Sequence, residues 1–185
     1  MDAIKNLLTR NSISKLSDPY PSKDEMELVY QSALRAPDHA WLRPSKFIQV
    51  TGDGLEKLSQ IFVNYISGTT KDVSELLLSK YKNAPFRAPM IIILVCHVKD
   101  HPKVPEVEQL LSTSAAAQNI LLALHALKYG AIWRTGKVSL NDEISKYFNL
   151  DDNHKILGYI YVGTPTIEPK DIPEIDTSDY VTRWE

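Results

Sequence analysis

Three short segments carry the side chains best suited to chemistry. Arg10-Asn11-Ser12-Ile13-Ser14-Lys15 offers a forked guanidinium, hydroxyls and a run of backbone N–H groups. That set suits a phosphate or a polyol, and it equally suits a solvated loop. Arg35-Ala36-Pro37-Asp38-His39 continues to Trp41 and Arg43-Pro44. Pro37 forces a sharp exit from the preceding helix and throws these side chains into one place. Arg35 is also explained simply as a cation at the negative end of that helix. Trp133-Arg134-Thr135-Gly136 closes a strand, where the glycine either admits a flat ligand to the backbone or makes a turn.

Other chemistries find little support. Gly136-Lys137 lacks the upstream glycine and the following hydroxyl of a phosphate-binding loop, and Gly52-x-Gly54 runs on to Lys57 where a dinucleotide fingerprint needs glycine. The five histidines (39, 97, 101, 125 and 154) have no metal-ligand spacing. The single cysteine, Cys96, lies in an apolar strand and reads as a buried structural thiol. One cysteine forms no intrachain disulfide, which suits a reducing compartment.

Composition narrows the class further. Hydrophobic residues are 43% and charged residues 24%, as in ordinary folded domains, so a disordered chain is excluded. Lys plus Arg is 21 against 23 for Asp plus Glu, a net charge of -2. That balance, without interleaved aromatics, argues against a nucleic-acid module built on Arg35, Arg43 and Lys46. No apolar run reaches the roughly 20 residues that cross a bilayer, and the start of the chain does not read as a signal peptide. A cytoplasmic protein with one domain over residues 1–185 is expected.

The elements that must position these segments follow from periodicity. Ile4, Leu7 and Leu8 mark a short first helix. Ser22 and Glu25 make a capping box ahead of a helix from Asp24 to about Arg35, with Met26, Val29, Tyr30 and Ala33 on its apolar face. A short strand spans Phe47–Val50, and helices follow around Leu55–Tyr65 and Val73–Tyr81. Met90–Val98 is the strongest strand, a β-branched run of the kind covered on both faces. A long, small-residue helix runs from Pro105 to near Lys128 with Gly130 as C-cap, and its composition is that of a buried helix. Strands are expected at Gly130–Arg134 and Ile156–Val162, with a helix at Asp142–Phe148 between them. The last twenty residues read as an extended tail, with Tyr180–Trp184 as a terminal strand and a partner subunit as one way to bury Trp184. The sum is an α+β domain of three layers, α/β/α, with a small mixed sheet.

Six pieces, in order along the chain, resemble the FMN-dependent nitroreductase family, specifically its compact YdjA-type branch. They are Leu7–Leu16, Arg35-Ala-Pro-Asp-His39, Asn83-Ala-Pro-Phe-Arg-Ala-Pro89, Lys103-Val-Pro105 with Glu108-Gln109, Gly130–Gly136 and Gly158–Pro165. The resemblance implies a nitroreductase-like fold and an obligate homodimer with a domain-swapped C-terminal tail and FMN in the interface. It further implies an NAD(P)H oxidoreductase that reduces nitroaromatics, quinones or similar electron-poor small molecules by ping-pong hydride transfer, with no catalytic side chain of its own. A flavin-binding carrier or sensor is the competing reading. By the same resemblance Arg10, Asn11 and Ser12 hold the ribityl-phosphate part of FMN. Arg35 and His39 reach FMN from the other subunit, and Trp133, Arg134 and Thr135 lie against it. Ala123, Leu124, His125, Ala126, Leu127 and Lys128 match a region assigned to NADH or NADPH. The chain departs from the family pattern at Asn11 and Ser14, where basic residues are common. It departs again at Trp41 in place of Asn, and at Arg43-Pro-Ser45 in place of Gln-Pro-Trp.

Overall fold

A computed structural model describes residues 2–185. The helix α1 (Ala3–Thr9) is capped by Asp2, whose carboxylate accepts from the Lys5 amide at 3.0 Å. After a two-residue strand β1 (Leu16–Ser17) comes α2 (Lys23–Ala33), with its capping box formed by Ser22 and Glu25. Then follow β2 (Ser45–Thr51), α3 (Asp53–Thr69), α4 (Glu75–Lys82), β3 (Met90–His97) and α5 (Glu106–Ala126). The strand β4 (Gly130–Arg134), the helix α6 (Asp142–Tyr147) and the strand β5 (His154–Pro165) complete the regular elements.

The layering follows from the alternation of side chains along β3. Met90, Ile92, Leu94 and Cys96 face α2 and α5, packing with Met26, Val29, Ile120 and Leu124. Ile91, Ile93 and Val95 face the opposite way, toward Leu58, Phe62 and Tyr65 of α3 and Ile144 of α6. Every residue of β3 before His97 is buried, which explains its unbroken apolar run. These are the expected three layers.

The sheet itself is antiparallel in all its described pairings, where a mixed sheet was expected. The reason lies in β5. It separates β3 from β4, so the crossover through α5 leaves β3 and β4 pointing the same way but never adjacent. One edge of β5 pairs with β3; its other edge pairs with β4 and then with β1, end to end.

Two boundary expectations also change. Gly130 is not the cap of α5: the helix ends at Ala126, Lys128 takes the left-handed turn (φ 68°), and Gly130 opens β4. A Cβ at Gly130 would sit 2.7 Å from the Leu16 side chain of β1 and 3.0 Å from Pro165, so a larger residue there would make these side chains shift. Tyr180–Trp184 forms no strand. A strand needs a second edge for its N–H and C=O groups; here a short 3-10 turn at Thr177–Asp179 takes the amides of Tyr180 and Val181, and Trp184 is 95% exposed.

Candidate functional site

The loop after α1 is docked onto the sheet edge. The Ile13 amide donates to the Ala131 carbonyl of β4 at 3.1 Å, and the Thr166 amide donates to the Lys15 carbonyl at 3.1 Å. Residues 10–15 therefore lie beside the strand that ends in Trp133 and Arg134. Between them is a cavity of about 340 Å3, lined by Ser14, Lys15, Leu16, Arg87, Arg134 and Thr166. Three cations and no carboxylate face this space. The Arg134 guanidinium lies 5.5 Å from the centre of the Tyr161 ring, and its Nε is buried with no hydrogen-bond partner among the described residues. Such an unpartnered buried donor is costly unless a ligand or water satisfies it. Burial pushes the Tyr161 hydroxyl up, while Arg87 and Arg134 pull it the other way, so both cations act on one spot.

The strand end is shaped by a bulge. Between Leu94 and Val95 the β3–β5 register shifts, leaving Leu157 without a β3 partner. The Leu157 carbonyl instead accepts from the Trp133 indole at 3.2 Å. Gly158 sits at φ 138°, and a Cβ there would lie 2.4 Å from the indole nitrogen and 2.7 Å from the Arg134 carbonyl. The bulge thus frees the Leu157 carbonyl to hold the Trp133 indole, next to Arg134 in β4.

A second cavity, of about 580 Å3, lies at the C-terminal end of α2, with Arg35, Pro37, Trp41, Arg43 and Ser112 among its walls. In one chain it is separate from the first. His39 turns to Glu108 of α5, with Nδ1 and Oε2 2.6 Å apart.

The sequence-derived residues therefore divide. Arg10 and Ser12 meet through a 3.5 Å hydrogen bond, and Arg134 faces the neighbouring cavity with Lys15. Asn11 donates to the Lys170 carbonyl at 2.6 Å, tying the start of the tail to this loop. Thr135 is exposed at the strand end. Arg35 lines the second cavity, and His39 is occupied by Glu108. Of the segment 123–128, Leu124 is fully buried in the core. His125 contacts the Thr9 hydroxyl at 3.0 Å, and its basicity is lowered by burial and by Arg10. Only Ala126 and Lys128 of that segment are exposed. Arg87 has no role on sequence grounds, although it lies in Asn83–Pro89; a proline-bracketed arginine is a weak signal until the fold brings it to the Arg134 cavity. Cys96 is buried and its thiol pKa is raised by burial, as expected of a structural cysteine.

The comparisons with known proteins agree with this framework. The Nitroreductase family model matches residues 7–164. "Putative NAD(P)H nitroreductase YdjA" of Escherichia coli K12 is 33% identical over 168 residues, covering 91% of each chain. The solved nitroreductase-like family protein of Bacillus cereus superposes with a TM-score of 0.85 at 20% identity, over 100% of this chain and 97% of its own. A Bacteroides fragilis nitroreductase solved with bound FMN superposes with a TM-score of 0.76 at 16% identity, over the whole of both chains. The three-layer α/β/α fold is thus shared with these solved structures. The chain belongs to the nitroreductase family.

Proposed function

We propose that the chain is an FMN-dependent NAD(P)H oxidoreductase acting on nitroaromatics, quinones or similar electron-poor small molecules, and that it works as a homodimer. The observation that carries this reading is the cavity of Lys15, Arg87 and Arg134, with the Arg134 Nε buried and without a hydrogen-bond partner among the described residues. A monoester phosphate carries about -1.5 to -2 charge at neutral pH and three acceptor oxygens. Three convergent cations and an idle donor fit that group. Arg10 and Ser12, one turn earlier on the same loop, would hold the polyol that follows the phosphate, and Trp133 would stiffen the strand beside it.

FMN, when bound, supplies reversible two-electron redox chemistry, so the protein's task is position and charge. Arg10, Lys15 and Arg134 bind and orient; the sheet edge excludes water from one side. No thiolate or metal is required of the chain, in keeping with an inert Cys96. Donor and acceptor using one slot in turn would give parallel initial-rate lines.

Two features support a homodimer. Ile4, Leu7 and Leu8 of α1 are exposed, as are Ile172, Ile175, Tyr180 and Trp184 of the tail, leaving apolar surface that a second copy would cover. Arg35 and His39 lie away from the Arg134 cavity within one chain, so a shared site would draw them from a partner subunit. Rapid mixing of FMN-loaded protein with NADH and with NADPH tests the enzyme reading: fast bleaching of the flavin supports it. Stable flavin binding with no bleaching by either nucleotide would leave a flavin carrier or sensor instead.

A further inference from the structure

The loop joining α2 to β2 holds three non-glycine residues in the left-handed region: Ala40 (φ 57°), Trp41 (φ 53°) and Arg43 (φ 50°). Residues in such strained conformations persist only where their surroundings over-determine them. The surroundings here are explicit. Asp38 accepts from the Arg43 amide at 2.7 Å, and Ser112 donates to the Pro37 carbonyl at 2.7 Å. The His97 amide donates to the Pro44 carbonyl at 2.7 Å, Lys99 donates to the Leu42 carbonyl, and Glu108 holds His39.

The result is a presented surface rather than a buried one. Trp41 is 79% exposed, and the Arg43 guanidinium lies 6.0 Å from the centre of its ring. Both line the 580 Å3 cavity, a size typical of small-molecule sites. Leu34, Pro37 and Pro44 supply its apolar wall, and Arg35 a second guanidinium. The single carboxylate lining it, Asp38, already serves the Arg43 amide. Neither Arg35 nor Arg43 forms a salt bridge among the described residues. An open indole face next to unneutralised, forked donors recognises a flat ring that carries an anion.

We propose that Trp41 and Arg43 select the acceptor: planar aromatic molecules bearing a carboxylate or sulfonate, with the ring on Trp41 and the anion on Arg43. This rests on the oxidoreductase reading above and adds the substrate class. For a nitroarene the overall two-electron step is balanced as nitro compound plus NAD(P)H plus one proton giving nitroso compound, NAD(P)+ and water. The adenine of a nucleotide, with the phosphate on its ribose, also offers a flat ring beside an anion, so it is the rival occupant.

The test is calorimetric binding to the oxidised, FMN-loaded protein, without reducing nucleotide. The probes are 4-nitrobenzoate, its neutral methyl ester and adenosine 2′,5′-bisphosphate. Wild type should bind the acid at least tenfold more tightly than the ester. R43Q should remove most of that preference, R43K should keep part of it, and W41A should weaken acid and ester alike by about tenfold. The kcat/KM ratio for acid over ester should fall in parallel in R43Q. Equal binding of acid and ester by wild type, or a preference that survives in R43Q, overturns the assignment. Displacement of the bisphosphate, rather than of 4-nitrobenzoate, by R43Q would overturn it in favour of a nucleotide site. Failure of flavin binding or of its reduction by NAD(P)H would instead overturn the oxidoreductase reading, because the calorimetric preference is read without turnover.

Discussion

Arg134 illustrates how a single side chain can be structurally costly and functionally apt. Its Nε is buried without a hydrogen-bond partner among the described residues, in a cavity it shares with two other cations, so replacing it should relieve the fold while harming the ligand. Arg134→Ala is expected to weaken FMN retention by about 1.5–3 kcal/mol, the range for hydrogen bonds to charged groups, which is roughly 10- to 150-fold in Kd. Fluorescence titration of stripped protein measures it, and unchanged retention would remove Arg134 from the site. A second residue-scale expectation concerns pH. His97 stacks on His154 at 4.3 Å between ring centres. Burial, followed by the charges of His154, Lys99 and Lys46, lowers its pKa below the ordinary 6.5, with Asp151 acting in the opposite sense. The unfolded chain therefore binds this proton more readily than the folded one. Stability is complete above pH 6.5 and declines as the pH falls through and below that value. His97→Gln should flatten part of this decline in thermal-melting experiments between pH 7.5 and 5; an identical slope in wild type and variant would contradict it.

At the scale of elements, the bulge in β5 links core to site. Gly158→Ala would bring a Cβ to 2.4 Å from the Trp133 indole nitrogen and 2.7 Å from backbone, at a φ of 138° that side chains avoid. It should lower the melting temperature and also loosen FMN, because Arg134 leaves the strand next to Trp133. A stability loss with full flavin affinity would show that the bulge serves packing alone. This bulge also marks where sequence reading stops. The capping box of α2, the apolar run of β3 and the strand at Gly130–Arg134 were legible, because each is a local pattern. Gly158 was legible only as one residue of a family-like strand end, since its need arises from Trp133, 25 positions earlier. Strand order was likewise hidden. Nothing in β3 or β4 says that β5 lies between them, so the sequence suggests a mixed sheet where the described pairings are antiparallel. Of the candidate site, residue type marks the loop 10–15 and the segment Trp133–Gly136 only as polar segments, their cofactor roles come from the family resemblance, and Arg87 joins them only through the fold. Leu124 was placed with the nucleotide by resemblance, but its helix face is core.

For the whole molecule, the question is what covers α1 and the tail. Ile4, Leu7 and Leu8 are exposed together, Leu8 at 69%, and no residue of α1 is buried, which leaves an apolar patch on this helix. If a second copy buries them, Leu8→Glu should shift the protein toward monomer in analytical ultracentrifugation and lower its flavin content together. A variant that stays dimeric would place the interface elsewhere. The hydrogen bond from Asn11 to the Lys170 carbonyl also joins the start of the tail to the loop 10–15.

The central claim is that the cavity of Lys15, Arg87 and Arg134 holds the phosphate of FMN. Its most direct test is equilibrium titration of flavin-free protein with FMN and, separately, with riboflavin, which has the same ring and polyol but no phosphate. One FMN per subunit is expected, with riboflavin bound at least tenfold more weakly, a difference that Arg134→Ala largely erases. Equal affinity for the two flavins, or no uptake of either, would contradict it.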